Sequence, residues 1–93
     1  MNKYEIMFIV KPDVEDEARN DLIDGFKKIL TTDEGTVDNV NEWGLRDLAY
    51  EIKDYAKGYY VVLDTTTTPA NIAEFERLSR INANVLRHLT LRR

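Results

Sequence analysis

The 93-residue chain contains no cysteine. That absence removes disulfides, thiolate zinc sites, iron–sulfur clusters and cysteine nucleophiles, and it makes a reducing cytoplasm the default compartment. Histidine occurs once, as His88. A lone histidine within a strand pattern is expected to pack and hydrogen-bond rather than serve as a catalytic base. The four glycines, at 25, 35, 44 and 58, are dispersed, so no Gly-rich phosphate loop exists. Long apolar runs are also missing. The first, Ile6 to Val10, is far shorter than the about 18 residues that cross a bilayer. The acidic stretch after it has no small-residue cleavage pattern, so no signal peptide is expected. What is present is 43% hydrophobic and 32% charged, a composition that folds rather than stays disordered. Residues 1–93 are expected to form one domain with one modest core.

The net charge of −4 argues at first against a polyanionic partner, but the charge is unevenly placed. Asp13, Glu15, Asp16, Glu17, Asp21, Asp24, Asp33 and Glu34 face only Arg19, Lys27 and Lys28 in the same stretch. From Arg77 to Arg93 there are arginines at 77, 80, 87, 92 and 93 and no acid. An acidic helix and a basic last segment make a dipolar surface, whose plainest use is solubility.

Hydrophobic periodicity divides the chain into six elements. In KYEIMFIV, Tyr4, Ile6, Phe8 and Val10 alternate with Glu5, Met7 and Ile9, which predicts a strand. KPD ends it, and Asp13 is expected to cap the helix that follows. Val14, Ala18, Leu22, Phe26, Ile29 and Leu30 recur at helical spacing. Gly25 within that helix predicts a close helix–sheet contact. TVDNVNEWGLRDLAYEI reads as a long extended stretch of imperfect pattern, with a bulge or bend at Gly44. KDYAKG reads as a turn and YYVVLDT as the third strand. Thr68 and Pro69 are the N-cap and first residue of a second helix, with Ile72, Phe75 and Leu78 buried. After NAN, VLRHLTLRR alternates Arg87, Leu89 and Leu91 against Leu86, His88 and Thr90, the last strand.

The order β-α-β-β-α-β, with right-handed crossovers and a central hairpin, predicts an α+β ferredoxin-like sandwich. Its antiparallel sheet has strand order 4-1-3-2 and both helices on one face. Asp64 is unsuited to a core, so Tyr59, Val61 and Leu63 are expected to face the helices. The other face then carries Met7, Ile9, Tyr60, Val62, Leu89 and Leu91 and has no cover from its own chain. Such an apolar face is a candidate docking site for a protein partner. Lys57-Gly58-Tyr59-Tyr60-Val61-Val62 superficially matches the RNA-reading strand of an RNA-recognition motif. The neighbouring strand offers Met7 and Ile9 where stacking aromatics are needed, so that reading fails.

Enzyme chemistry finds little support. The carboxylates lie on one helix as a solvated face, and the loop KPDVEDE after the first strand repels an anion. No catalytic residue, metal, cofactor, membrane or small-molecule substrate is expected. By the residues alone, a protein-interaction module and a ligand-binding regulatory domain both remain open.

WGLRDLAYEI, residues 43–52, resembles the signature of the bacterial ribosomal protein S6 family of the small subunit. The opening KYEIMFIVKPD, the GYYVV after the turn and the final SRINANVLRHLTLRR are similar to that family's blocks, at the same spacing and over nearly the whole chain. Two positions depart from its pattern: Asp47 stands where many members have a base and Glu51 where some have proline. The resemblance implies a non-enzymatic ferredoxin-like protein. It also implies a structural constituent that binds small-subunit (16S) rRNA together with ribosomal protein S18. Lys3, Arg46, Arg80, Arg87, Arg92 and Arg93 match basic positions of the family and become the expected phosphate contacts, with Tyr50 stacking or hydrogen-bonding at the RNA edge. Met7, Ile9, Tyr60, Val62, Leu89 and Leu91 become the expected partner contacts.

Overall fold

The computed structural model describes all 93 residues. The elements are β1 (Asn2–Val10), α1 (Asp16–Leu30), a 3-10 turn (Thr32–Glu34), β2 (Thr36–Ile52), β3 (Tyr55–Thr67), α2 (Pro69–Ile81) and β4 (Val85–Arg92). The sheet order is β2-β3-β1-β4 with every neighbour antiparallel. This is the expected 4-1-3-2 order, read from the other edge.

Alternation along β1 decides what the helices cover. Tyr4, Ile6, Phe8 and Val10 are all buried and join Val61, Leu63, Val85 and the helix residues Ile23, Phe26, Leu30, Ile72 and Phe75 in one core. At its centre Phe8, Phe26 and Phe75 meet edge to face or tilted, with centroids 5.0, 4.9 and 6.1 Å apart. Each such pair adds roughly 0.5–1.5 kcal/mol to the burial of its area. The buried stripe of α1 includes Ile23, which the spacing argument passed over, while Ala18 is exposed.

Local chemistry explains most element boundaries. Thr68 accepts the amide of Asn71 at 3.1 Å, and Pro69 opens α2 as expected. Asn71 then donates to the Thr32 carbonyl and to Thr67 Oγ1, whose own hydroxyl donates to the Leu30 carbonyl at 2.7 Å. This buried chain of bonds ties the end of α1 to the start of α2 and satisfies groups that burial would otherwise penalise.

Three local expectations are corrected. Asp13 does not cap α1. The cap position is Glu15, which makes no side-chain bond, and Asp13 instead accepts the Tyr55 hydroxyl at 3.3 Å. Asp16 and Glu17 in the first turn stabilise the helix dipole in place of a cap. Gly25 makes no close contact, since a Cβ there would meet nothing within 4 Å. It borders an open groove between α1 and α2. KDYAKG is not all turn: only Lys53 and Asp54 turn, with φ of 50° and 69°. Two successive left-handed residues form a type I′ hairpin, whose twist matches that of the strands, so Tyr55 to Gly58 continue as β3.

Candidate functional site

The register lines up the helix-free face of the sheet in rows. Leu91, Glu5, Asp64 and Asn39 form one row across β4, β1, β3 and β2; Leu89, Met7, Val62 and Asn41 form the next; Arg87, Ile9, Tyr60 and Gly44 form the third. One cation, two carboxylamides and an acidic pair thus frame a central apolar block, because successive side chains of one strand alternate between faces.

Half of this face is covered by the chain itself, contrary to the sequence-based expectation. β2 is interrupted by irregularities between Val37 and Asn39, Glu42 and Gly44, and Asp47 and Ile52. These bend the far end of the hairpin over the sheet. Leu48, Ala49, Tyr50 and Ile52 close a pocket against Met7, Ile9, Tyr60 and Leu89. Gly58 makes the approach possible: a Cβ there would collide with Ile9 Cγ2, and Leu48 Cδ2 lies 3.5 Å away. Ile9 is consequently only 3% exposed, and Val62 is buried as well. The remaining half stays open, with Leu89 46%, Trp43 48% and Leu91 50% exposed.

At the boundary between the halves sits an aromatic and cationic strip. Gly44 adopts φ +82°, and the bulge it makes turns Trp43 onto the face, where its ring stacks on Tyr60 at 6.0 Å and 8°. The Arg46 guanidinium carbon lies 5.4 Å from the Trp43 ring. Arg87 Nη1 donates to the Tyr50 hydroxyl at 2.7 Å. The structure therefore brings Arg46, Tyr50, Tyr60 and Arg87 together. Trp43, to which the sequence alone assigns no role, completes the group. The signal for it was Gly44, whose bulge sets which face Trp43 takes.

The other expected phosphate contacts are spread out. Arg80, on α2, borders a shallow groove with Lys53, Arg87 and His88 at the β4 edge. Lys3 lies beyond the acidic row, near Asp38. Hydrogen bonds from Thr66 at 2.7 Å and Thr36 at 2.8 Å, aided by the charge of Lys3, hold the Asp38 carboxyl below its ordinary range. Arg92 pairs with Tyr4, so it points to the helix side, and it donates to Asn2 Oδ1 at 3.1 Å. Arg93 returns to the open face and pairs with Glu5 at 2.6 Å.

On the helix side, Arg19 lies over the Tyr59 ring at 3.8 Å, and Tyr59 donates to Glu42 at 3.0 Å. Partial burial, then the Glu42 carboxylate, raises the Tyr59 phenol above its ordinary range. His88 packs edge-on to Phe75 at 6.2 Å. No group of three or more His, Cys, Asp or Glu side chains is placed to hold a metal ion.

An α+β sandwich that leaves one sheet face to aromatic, apolar and cationic side chains defines a binding protein of ferredoxin-like fold. The family model described as Ribosomal protein S6 matches residues 3–92. The small ribosomal subunit protein bS6 of Desulforudis audaxviator is 47% identical over 92 residues, spanning 99% of this chain and 98% of that protein. The crystal structure of 30S ribosomal protein S6 from Thermotoga maritima matches with a TM-score of 0.91 and 36% identity, over 99% of this chain and 87% of that one. The chain belongs to the ribosomal protein S6 family: it is a structural protein of the small ribosomal subunit, not an enzyme.

Proposed function

We propose that the chain binds 16S rRNA as one half of a pair with ribosomal protein S18, within the ribosome in the cytoplasm. The observation that carries this reading is the strip in which Trp43 stacks on Tyr60 beside Arg46, with Arg87 bound to Tyr50. It lies directly against an exposed apolar surface. The strip suits RNA: guanidinium groups fork to phosphate oxygens, and exposed rings stack on unpaired bases. Lys3 and Arg80 extend the phosphate contacts to either end, and Arg92 adds one from the helix side. The apolar surface suits a protein. Leu89, Leu91, Met7 and Tyr60 present the contact, flanked on the same face by the buried Ile9 and Val62.

Charge explains why a pair is needed. At −4, with the acids of residues 13–34 on one side, the chain alone repels much of an RNA backbone. A basic partner seated beside the strip adds positive charge to one continuous surface and lets a single docking event engage both proteins. The test is to assemble the pair on a 16S fragment with Arg46→Ala and with Tyr50→Ala. Each variant should retain S18 and weaken RNA binding by about 5- to 100-fold, the range of one charged contact or one stacked base. Unchanged RNA affinity in both would remove the strip from the interface.

A further inference from the structure

Glu5 and Asp64 are direct partners across β1 and β3 on the open face. Carboxylates so placed repel each other. Asp64 Oδ1 is out of reach of solvent and accepts no hydrogen bond. One cation serves both groups: Arg93 Nη2 lies 2.6 Å from Glu5 Oε2 and 3.6 Å from Asp64 Oδ1. The longer contact is an ion pair without a hydrogen bond. The Arg93 side chain is 57% exposed, so its hold is screened by solvent and easily exchanged.

The acidic pair does not stand on open polar surface. Glu5 closes the end of a groove of about 250 Å³ whose other walls are Met7, Trp43, Val62, Leu89 and Leu91. An apolar trough that ends at the Glu5 carboxylate, with Asp64 beside it across the strands, fits one type of side chain closely. The methylene stem of an arginine covers the apolar walls, its guanidinium forks to two acids, and its plane can stack on an indole. RNA does not fit here, because a phosphate beside Glu5 and Asp64 is repelled.

We propose that Glu5, Asp64 and this groove form a receptor for an arginine of the basic partner protein, and that Arg93 is an internal stand-in that the partner displaces. This rests on the paired reading given above. It changes the part assigned to Arg93, from an RNA contact to the occupant of a protein site. A competitor leaves a distinctive sign. Removing Arg93 frees the receptor and tightens the partner, whereas removing the carboxylates weakens it. If Arg93 itself touched the partner, its loss would weaken binding.

The experiment titrates S18 into the full chain without RNA, by calorimetry at about 0.05 M and 0.15 M salt. Wild type, Arg93→Gln and the double variant Glu5→Gln/Asp64→Asn are compared, with thermal melts to confirm the fold. Arg93→Gln should bind about two- to fivefold more tightly, the scale of an exposed ion pair. The double carboxamide should bind at least about tenfold more weakly, with a shallower salt dependence. Weaker or unchanged binding by Arg93→Gln overturns the stand-in. Unchanged binding by the double variant overturns the receptor while leaving the pair intact. No binding by wild type overturns the pair, and the receptor with it.

Discussion

Replacing Gly58 by alanine tests how the hairpin covers the sheet. A Cβ at residue 58 would collide with Ile9 Cγ2 and stand 3.5 Å from Leu48 Cδ2. Ile9 cannot step aside, because it is nearly fully buried between the sheet and the hairpin. Overpacking of this kind costs about 1–3 kcal/mol. The loss of glycine's freedom in the unfolded chain returns about 0.4–1 kcal/mol. The net expectation is a destabilisation of about 1–2 kcal/mol, or a fall of about 4–15 °C in Tm for a domain of this size. Urea unfolding with an unchanged m-value measures it. Ile9→Leu removes the Cγ2 branch, so Gly58→Ala/Ile9→Leu should recover at least about 1 kcal/mol relative to the sum of the single variants. A neutral or stabilised Gly58→Ala, or strict additivity in the double variant, would refute the packing of Leu48 over Ile9.

Arg87→Ala should leave the fold intact and flatten the salt dependence of RNA binding by the pair by about one counterion; an unchanged slope removes Arg87 from the phosphate contacts. Leu89→Glu should melt as wild type does but lose S18, since Leu89 is exposed in the free chain and a charge in an apolar interface is left unpaired. An unfolded Leu89→Glu would mean that this face belongs to the core. Asp38 is held below its ordinary range by the hydroxyls of Thr66 and Thr36. Its stabilising contribution is therefore present above the ordinary aspartate pKa of about 3.8 and is lost as pH falls through the lower folded value. Asp38→Asn should narrow the stability gap between pH 6 and pH 2, seen in melts across that range, and an unaltered gap would contradict the assignment.

Periodicity carried most of the fold. Tyr4, Ile6 and Phe8 alternate with less buried neighbours because β1 has a helix layer on one side only, and the period of two fails at Ile9, which the hairpin covers. Thr68-Pro69 announced α2 because capping chemistry is local. The parts that were not legible depend on contacts between distant segments. Asp13 had the chemistry of a cap, but a tyrosine 42 residues away takes it. Lys53-Asp54 forms a type I′ turn without glycine, held by the strand pairing on both sides rather than by its own propensity. Leu48 over Ile9 requires the bends of β2, and only Gly44 among those bends was marked in the sequence. The site divides the same way. Arg46, Tyr50, Tyr60 and Arg87 were each nameable from the chain, whereas the stacking of Trp43 on Tyr60 and the capture of Arg93 by Glu5 needed the register of three strands.

The most direct test of the account is a mobility or filter assay on a 16S rRNA fragment at about 0.15 M salt, where charges more than about 8 Å apart are largely screened. Its three arms are this protein alone, S18 alone and the two together. This protein alone should bind weakly and without saturation, and binding should be tight and saturable when both are present. Tight saturable binding by this protein alone would show that its acidic helix is no obstacle and would contradict the claim that it reads RNA as half of a pair.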